Sequence, residues 1–254
     1  MRARQMAPVG MAAAPGLCWA LCAWEARRAR GGAKPYTEAL PADDVIGHGL
    51  HGDLHMAWLG DSLAAGLGCD HVADTPAHLT ARLLERRVSI SMLAIPGARV
   101  ADVAERQLPN LPAGVDLVVL SVGANDVASS ASRREYTARL DHLLAELAPT
   151  PTVMLSLPDM SMPDRMAQPL RTFAGARGRW FEAGRAAVVL AHPHASSVDV
   201  ATRPEGVSRQ AGRSMLCADR FHPGPLGYRV WAERIAAACE ERLGVPEQPL
   251  VAAS

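Results

Sequence analysis

A single lysine, Lys34, stands in this chain of 254 residues. That scarcity removes the G-x-x-x-x-G-K-[ST] phosphate loop, which needs a lysine to reach the phosphates. Charge of one sign is also missing. The 26 basic side chains are matched by 26 acidic ones, so there is no basic excess of the kind a nucleic-acid binder carries. Aromatic residues make up only 4%, which leaves few platforms for stacking bases. The five cysteines (Cys18, Cys22, Cys69, Cys217 and Cys239) are irregularly spaced and form no pair of C-x-x-C motifs. A structural zinc site and a disulfide framework are therefore not expected, and free thiols are. No cofactor is called for.

What the chain does have is apolar residues, 49% of the total, enough for a substantial core. They are unevenly arranged at the N-terminus. After the basic Met1-Arg2-Ala3-Arg4, residues 6–24 carry no charge. A basic start followed by an apolar run resembles a signal or anchor segment, and residues 6–24 are a candidate for membrane association. Pro8, Gly10, Pro15 and Gly16 weaken the run as a helix, so an apolar helix packed on the domain is the competing reading. Cytoplasmic, membrane-associated and exported locations all stay open. We divide the chain into this segment (1–30), a Gly- and Pro-punctuated linker (31–54), one domain (55–244) and a tail (245–254). His48, His51 and His55 lie close together in the linker region, but no carboxylate or cysteine completes a ligand set, and a solvated loop is expected there.

Beyond residue 55 the pattern alternates. Met56–Leu59, Val88–Ile95, Val115–Val122 and Thr152–Leu157 read as strands. Val188–Leu190 reads as a short fifth, extended or replaced by Ser197–Val200. Leu63–Leu67, Pro76–Arg87, Val100–Leu108, Arg133–Leu147, Gln168–Ala187 and Pro225–Leu243 read as helices. Such alternation predicts parallel βαβ units, a three-layer α/β/α fold with helices on both faces of about five parallel strands. Ligands in such sheets sit beyond the carboxyl ends of the strands.

Four short blocks fall at those ends. Gly60-Asp61-Ser62 closes the first strand, where a serine lies near unpaired backbone N–H groups. Gly97 follows the second and offers an unobstructed N–H. Asn125, in Gly123-Ala124-Asn125-Asp126, can aim an uncharged amide donor. Asp219 and His222 stand three residues apart before the last helix. A hydroxyl needs a base to become a nucleophile, and an imidazole needs an acceptor to fix its tautomer. Each block alone has a plainer reading, as a helix cap or a turn.

Together, Gly60-Asp61-Ser62-Leu63, Gly97, Gly123-x-Asn125-Asp126 and Asp219-x-x-His222 resemble the four blocks of the SGNH/GDSL hydrolases, in that family's order over roughly residues 55–240. The runs LGDSLAAGLG, VGANDV and ADRFHP look most like its actinobacterial branch. The resemblance implies a flavodoxin-like domain and a serine esterase acting on short-chain acyl, lipid-like or O-acetyl esters. It makes Ser62 the nucleophile, His222 the base and Asp219 its orienter. It makes the Ser62 and Gly97 N–H groups and the Asn125 amide the oxyanion donors. Ala64 breaks the G-x-S-x-G elbow of the α/β-hydrolases. The alternative is a non-catalytic binding or scaffold domain that retains the fold. The expected partner is a small-molecule ester. Oligomeric state is not legible.

Overall fold

The computed structural model describes residues 44–47, 53–163, 165–202, 205–206 and 208–244. Six strands form one sheet: β1 Asp44–Ile46, β2 Asp53–Gly60, β3 Arg87–Met92, β4 Leu117–Ser121, β5 Thr152–Leu155 and β6 Ala195–Val198. The helices are α1 Pro76–Leu83, α2 Val100–Asp102, α3 Ala124–Val127, α4 Arg133–Leu147, α5 Leu170–Leu190, α6 Arg209–Arg213 and α7 Pro225–Arg242. In space the strands run β1-β3-β2-β4-β5-β6. β2 to β6 are mutually parallel, in the 2-1-3-4-5 order of flavodoxin-like sheets.

β4 and β5 are buried along their whole length because both faces of the sheet are covered there. Alternate residues serve opposite layers. Met56, Trp58, Leu117 and Val119 face one way, into a core with Ala77 and Ala81 of α1 and Tyr228, Trp231 and Ile235 of α7. Ala57, Leu59, Val118 and Leu120 face the other, against Val100, Val103, the α4 residues Tyr136, Leu140, Leu143 and Leu144, and Phe181 of α5. α4 is the most regular of these helices. Ser132 caps it by accepting the Glu135 N–H at 3.1 Å, and its inward leucines repeat at helical spacing.

Four expectations are corrected or refined. Val188–Leu190 is not a strand but the last turn of α5. Val189 is buried and Leu190 is 88% exposed, an alternation the helix imposes. The fifth parallel strand lies further on, at Ala195–Val198. Leu63–Leu67 forms hydrogen-bonded turns rather than a helix, since Gly66 and Gly68 both have positive φ. Val100–Leu108 is helical throughout, as expected, but α-helical only to Asp102, continuing as a π turn over Val103–Gln107 and a 3-10 turn from Leu108. Within the segment read as a linker, Asp44–Ile46 pairs antiparallel with β3. Its Asp44 carboxylate accepts a hydrogen bond from Nε2 of the buried His78 on α1.

Residues 6–24 lie outside the described residues. Among those described, no helix is long and apolar enough to cross a membrane. His48 and His51 are also outside them. His55 Nε2 lies 2.8 Å from Ser91 Oγ.

Candidate active site

The parallel strands deliver the four blocks to one edge. At the end of β2, Gly60 pairs with Ser121 of β4, its carbonyl accepts the Ile95 N–H at 3.0 Å, and the Asp61 N–H reaches Ser121 O at 2.9 Å. The approach is so close that a Cβ on Gly60 would stand 1.9 Å from Ser121 O, and φ there is +132°. Gln107, on the π turn and 1% exposed, closes the other side. Its Oε1 accepts the Gly60 N–H at 2.7 Å and its Nε2 donates to Gly60 O at 2.8 Å. The last residue of β2 is thus fixed on both sides, and the chain turns sharply into Asp61-Ser62.

Ser62 Oγ lies 3.2 Å from His222 Nε2. On the far side of the ring, His222 Nδ1 lies 2.7 Å from Asp219 Oδ2. The other carboxylate oxygen, Oδ1, accepts the backbone N–H groups of Phe221 at 2.7 Å and His222 at 2.8 Å. The Asp219-to-His222 spacing is therefore not incidental, because the carboxylate folds the turn that carries the imidazole. Arg220 takes φ of 59° within that turn. Its base is closed by the Cys217 N–H to His222 O bond at 2.8 Å and by the bridge between Leu216 and Pro223. Burial acts to raise the Asp219 pKa. Hydrogen bonds from the His222 ring, the Cys217 thiol and the two backbone N–H groups outweigh it and hold the carboxyl well below the usual carboxylate range. The side chain is thus an anion wherever the imidazole can be protonated.

Gly97 sits in the exposed turn after β3, and Asn125 stands on the short helix α3 after β4. Asn125 Nδ2 donates to Ala98 O at 3.0 Å and approaches Asp61 Oδ2 at 3.5 Å, so the amide bridges the other two blocks. Neighbouring Asp126 accepts the Val100 N–H at 3.2 Å, a second tie between α3 and the Gly97 turn. Neither the Ser62 nor the Gly97 N–H donates to another described residue. Two carboxyls lie beneath the site, Asp61 at 1% and Asp126 at 2% exposure. Burial, with the charge of Asp126, pushes Asp61 up to about 7, and burial pushes Asp126 up to about 6.

Residues 58–230 match the model of the GDSL-like lipase/acylhydrolase family. The chain belongs to that family. A GDSL-like esterase of Mycobacterium tuberculosis is 30% identical over 200 residues, 75% of this chain. The match spans 63% of that relative's length. Among solved structures, an extracellular lipase of Streptomyces rimosus superposes with a TM-score of 0.56 at 20% identity, over 73% of this chain and 99% of its own. Phospholipase A1 of Streptomyces albidoflavus gives 0.57 at 18% identity, over 74% and 98%. At these identities the superpositions speak to fold, which in this GDSL-like chain is the same three-layer architecture.

All five residues singled out in the sequence stand at this one edge of the GDSL-like sheet: Ser62, His222 and Asp219 in one hydrogen-bonded line, Gly97 and Asn125 on the neighbouring strand ends. Sequence reasoning missed Gln107, Gly68 and Cys217. A glutamine among helix formers carries no signal of its backbone role. A lone glycine such as Gly68 signals in the sequence only a weak helix former. Among the described residues, no three His, Cys, Asp or Glu side chains gather as a metal site. A groove of about 610 Å³ between α4 and α5, floored by Gly184 and Ala187 beside Trp180, includes none of the five residues.

Proposed function

We propose that this chain hydrolyses carboxylic esters through an acyl-enzyme on Ser62. The observation that carries the proposal is the continuous line from Ser62 Oγ through His222 to Asp219. Ser62 Oγ attacks the ester carbonyl carbon while His222 Nε2 takes its proton. The tetrahedral intermediate collapses, the bond to the alcohol oxygen breaks, and the imidazolium returns the proton to the leaving alkoxide. Water then attacks the acyl carbon and gives a proton to Nε2, the bond to Ser62 Oγ breaks, and the imidazolium returns that proton to Oγ as the carboxylic acid leaves. Asp219 keeps Nδ1 protonated and stabilises the imidazolium. The oxyanion is received by the Ser62 and Gly97 N–H groups and by the Asn125 amide. Written this way, the reaction calls for no cofactor.

The relatives' own names (esterase, lipase, phospholipase A1) support the ester class. We assign the pocket walls to the segments that follow β4, β5 and β6. In them Met160 and Met166 are buried and Met162 and Met215 half-buried, an apolar and adaptable lining that suits an acyl chain. The test is release of p-nitrophenol from acetate, butyrate and longer esters by wild type and Ser62→Ala. Turnover that depends on Ser62, with fluorophosphonate labelling of the wild type alone, is expected. Equal rates in both proteins and no labelling would leave a non-catalytic binding domain as the better reading.

A further inference from the structure

Asn125 stands on a helix of four residues, too short to hold its own direction. α3 has two backbone bonds of helical type, Val127 N–H to Gly123 O at 2.9 Å and Ala128 N–H to Ala124 O at 3.1 Å. Its orientation is set from outside. On one side, Asn125 and Asp126 are tied to the Gly97 turn, as described above. On the other side stands Arg177 of α5. Its Nε donates to Val127 O at 2.7 Å, and its Nη2 donates to Ala131 O at 2.6 Å and to Ser129 O at 3.2 Å. The guanidinium lies over the Phe181 ring, 4.6 Å from its centroid, and that ring is fully buried.

This use of an arginine is specific. All three of these bonds go to carbonyl oxygens of one loop. The carbonyls that end a helix lack partners within it, and Val127 ends α3. A planar fork with several donors can satisfy oxygens at fixed angles, whereas a point charge cannot. The same loop folds on itself, with Ser129 Oγ donating to Asp126 O at 2.8 Å and accepting the Ala131 N–H at 3.1 Å. Fixing residues 127–131 therefore fixes the exit of the segment that carries Asn125.

We propose that Arg177 is a positioning residue for ester hydrolysis: its guanidinium locks the 127–131 loop and thereby sets the direction of the Asn125 amide. The inference rests on Asn125 being an oxyanion donor, as proposed above. A donor of that kind contributes only when it points to where charge develops in the transition state, so a loosened α3 lowers kcat and leaves substrate binding nearly intact.

A double-mutant cycle tests this. Arg177→Ala is expected to lower kcat about tenfold with KM changed less than about twofold, rates being normalised to sites titrated with a fluorophosphonate. Asn125→Ala alone should lower kcat by roughly 10²–10³. If Arg177 acts through Asn125, the double variant is no slower than Asn125→Ala, within about twofold. Arg177→Lys keeps the charge without the fork and should lose about threefold, again only when Asn125 is present. Wild-type kcat in Arg177→Ala overturns the proposal. So does a full multiplicative loss in the double variant, the mark of general loosening. Should Arg177→Ala fail to fold, as judged by its melting curve, Arg177→Lys runs the same cycle and decides it. An unchanged kcat in Asn125→Ala would remove the oxyanion reading instead, and is told apart because it concerns the single variant alone.

Discussion

Replacing Gly68 by alanine moves the triad loop without altering any group that reacts. Gly68 has φ of +108°, and a Cβ built there would stand 2.3 Å from Pro223 O, 3.2 Å from Cys217 Sγ and 3.3 Å from His222 Cβ. The nearest atom is backbone, so a rotamer change cannot relieve the contact. Ordinary van der Waals separation begins near 3.4 Å, so the 217–223 loop must retreat by about 1 Å. The Ser62–His222 contact is already 3.2 Å long, and the same retreat takes it out of hydrogen-bond range. A misplacement of about 1 Å at a reacting pair costs about 10² in rate. The positive φ adds roughly 1–2 kcal/mol of destabilisation for an L-residue. We expect Gly68→Ala to lose about 10² in kcat/KM on p-nitrophenyl butyrate, and fluorophosphonate labelling to slow in parallel. A melting curve would show the variant folded. Activity within about threefold of wild type in a folded protein would refute the argument that Gly68 sets the position of His222.

Three further predictions concern buried polar groups. Asp61 and Asp126 bind their protons more tightly folded than unfolded, so their stabilising contribution is full below the ordinary value of 3.8 and is lost as pH rises through about 6 to 7. Asp126→Asn should therefore gain on wild type as pH rises from about 5 to about 8, read as the difference between urea midpoints; a difference constant in pH contradicts this. Arg185, 1% exposed, donates to Glu182 through Nε at 2.8 Å and Nη2 at 2.7 Å. Glu182→Ala leaves that cation buried without its counter-ion and should cost about 3–5 kcal/mol in chemical denaturation, a loss under about 1 kcal/mol being the contrary result. The buried Tyr228 hydroxyl donates to Leu67 O at 2.7 Å. Tyr228→Phe should cost about 1–3 kcal/mol, and an unchanged urea midpoint would contradict that.

The parts of this molecule that could be read in advance are those written locally. α4 spans the expected residues because its cap, its leucine period and the prolines after it all lie within the segment. Strands β2, β4 and β5 were legible because both faces are buried over 56–59, 117–120 and 153–155, which makes those stretches continuous apolar runs. Val188–Leu190 misled because three apolar residues look alike at the end of a helix and in a strand, and only the packing of Val189 separates the two. β1 has three residues, too few for a period, and exists because β3 and His78 receive it. The same division holds at the site. Ser62, Gly97, Asn125, Asp219 and His222 are carried by short spacings and by their place after strands. Gln107, Gly68 and Arg177 act on groups 46 or more residues away, and no local pattern records such a contact.

The members of the Ser62–His222 pair stand 160 positions apart in the chain. One partner stands just after the first parallel strand, and the other lies in the loop that leads into the final helix. During synthesis, the hydroxyl emerges early and stays without its base until nearly the whole domain has been made. The loop is then seated by α7, which follows it directly and bonds back through Tyr228 to the turn beside the serine. On the proposed mechanism, hydrolytic competence therefore arrives only once α7 has seated this loop, and goes if α7 lifts away.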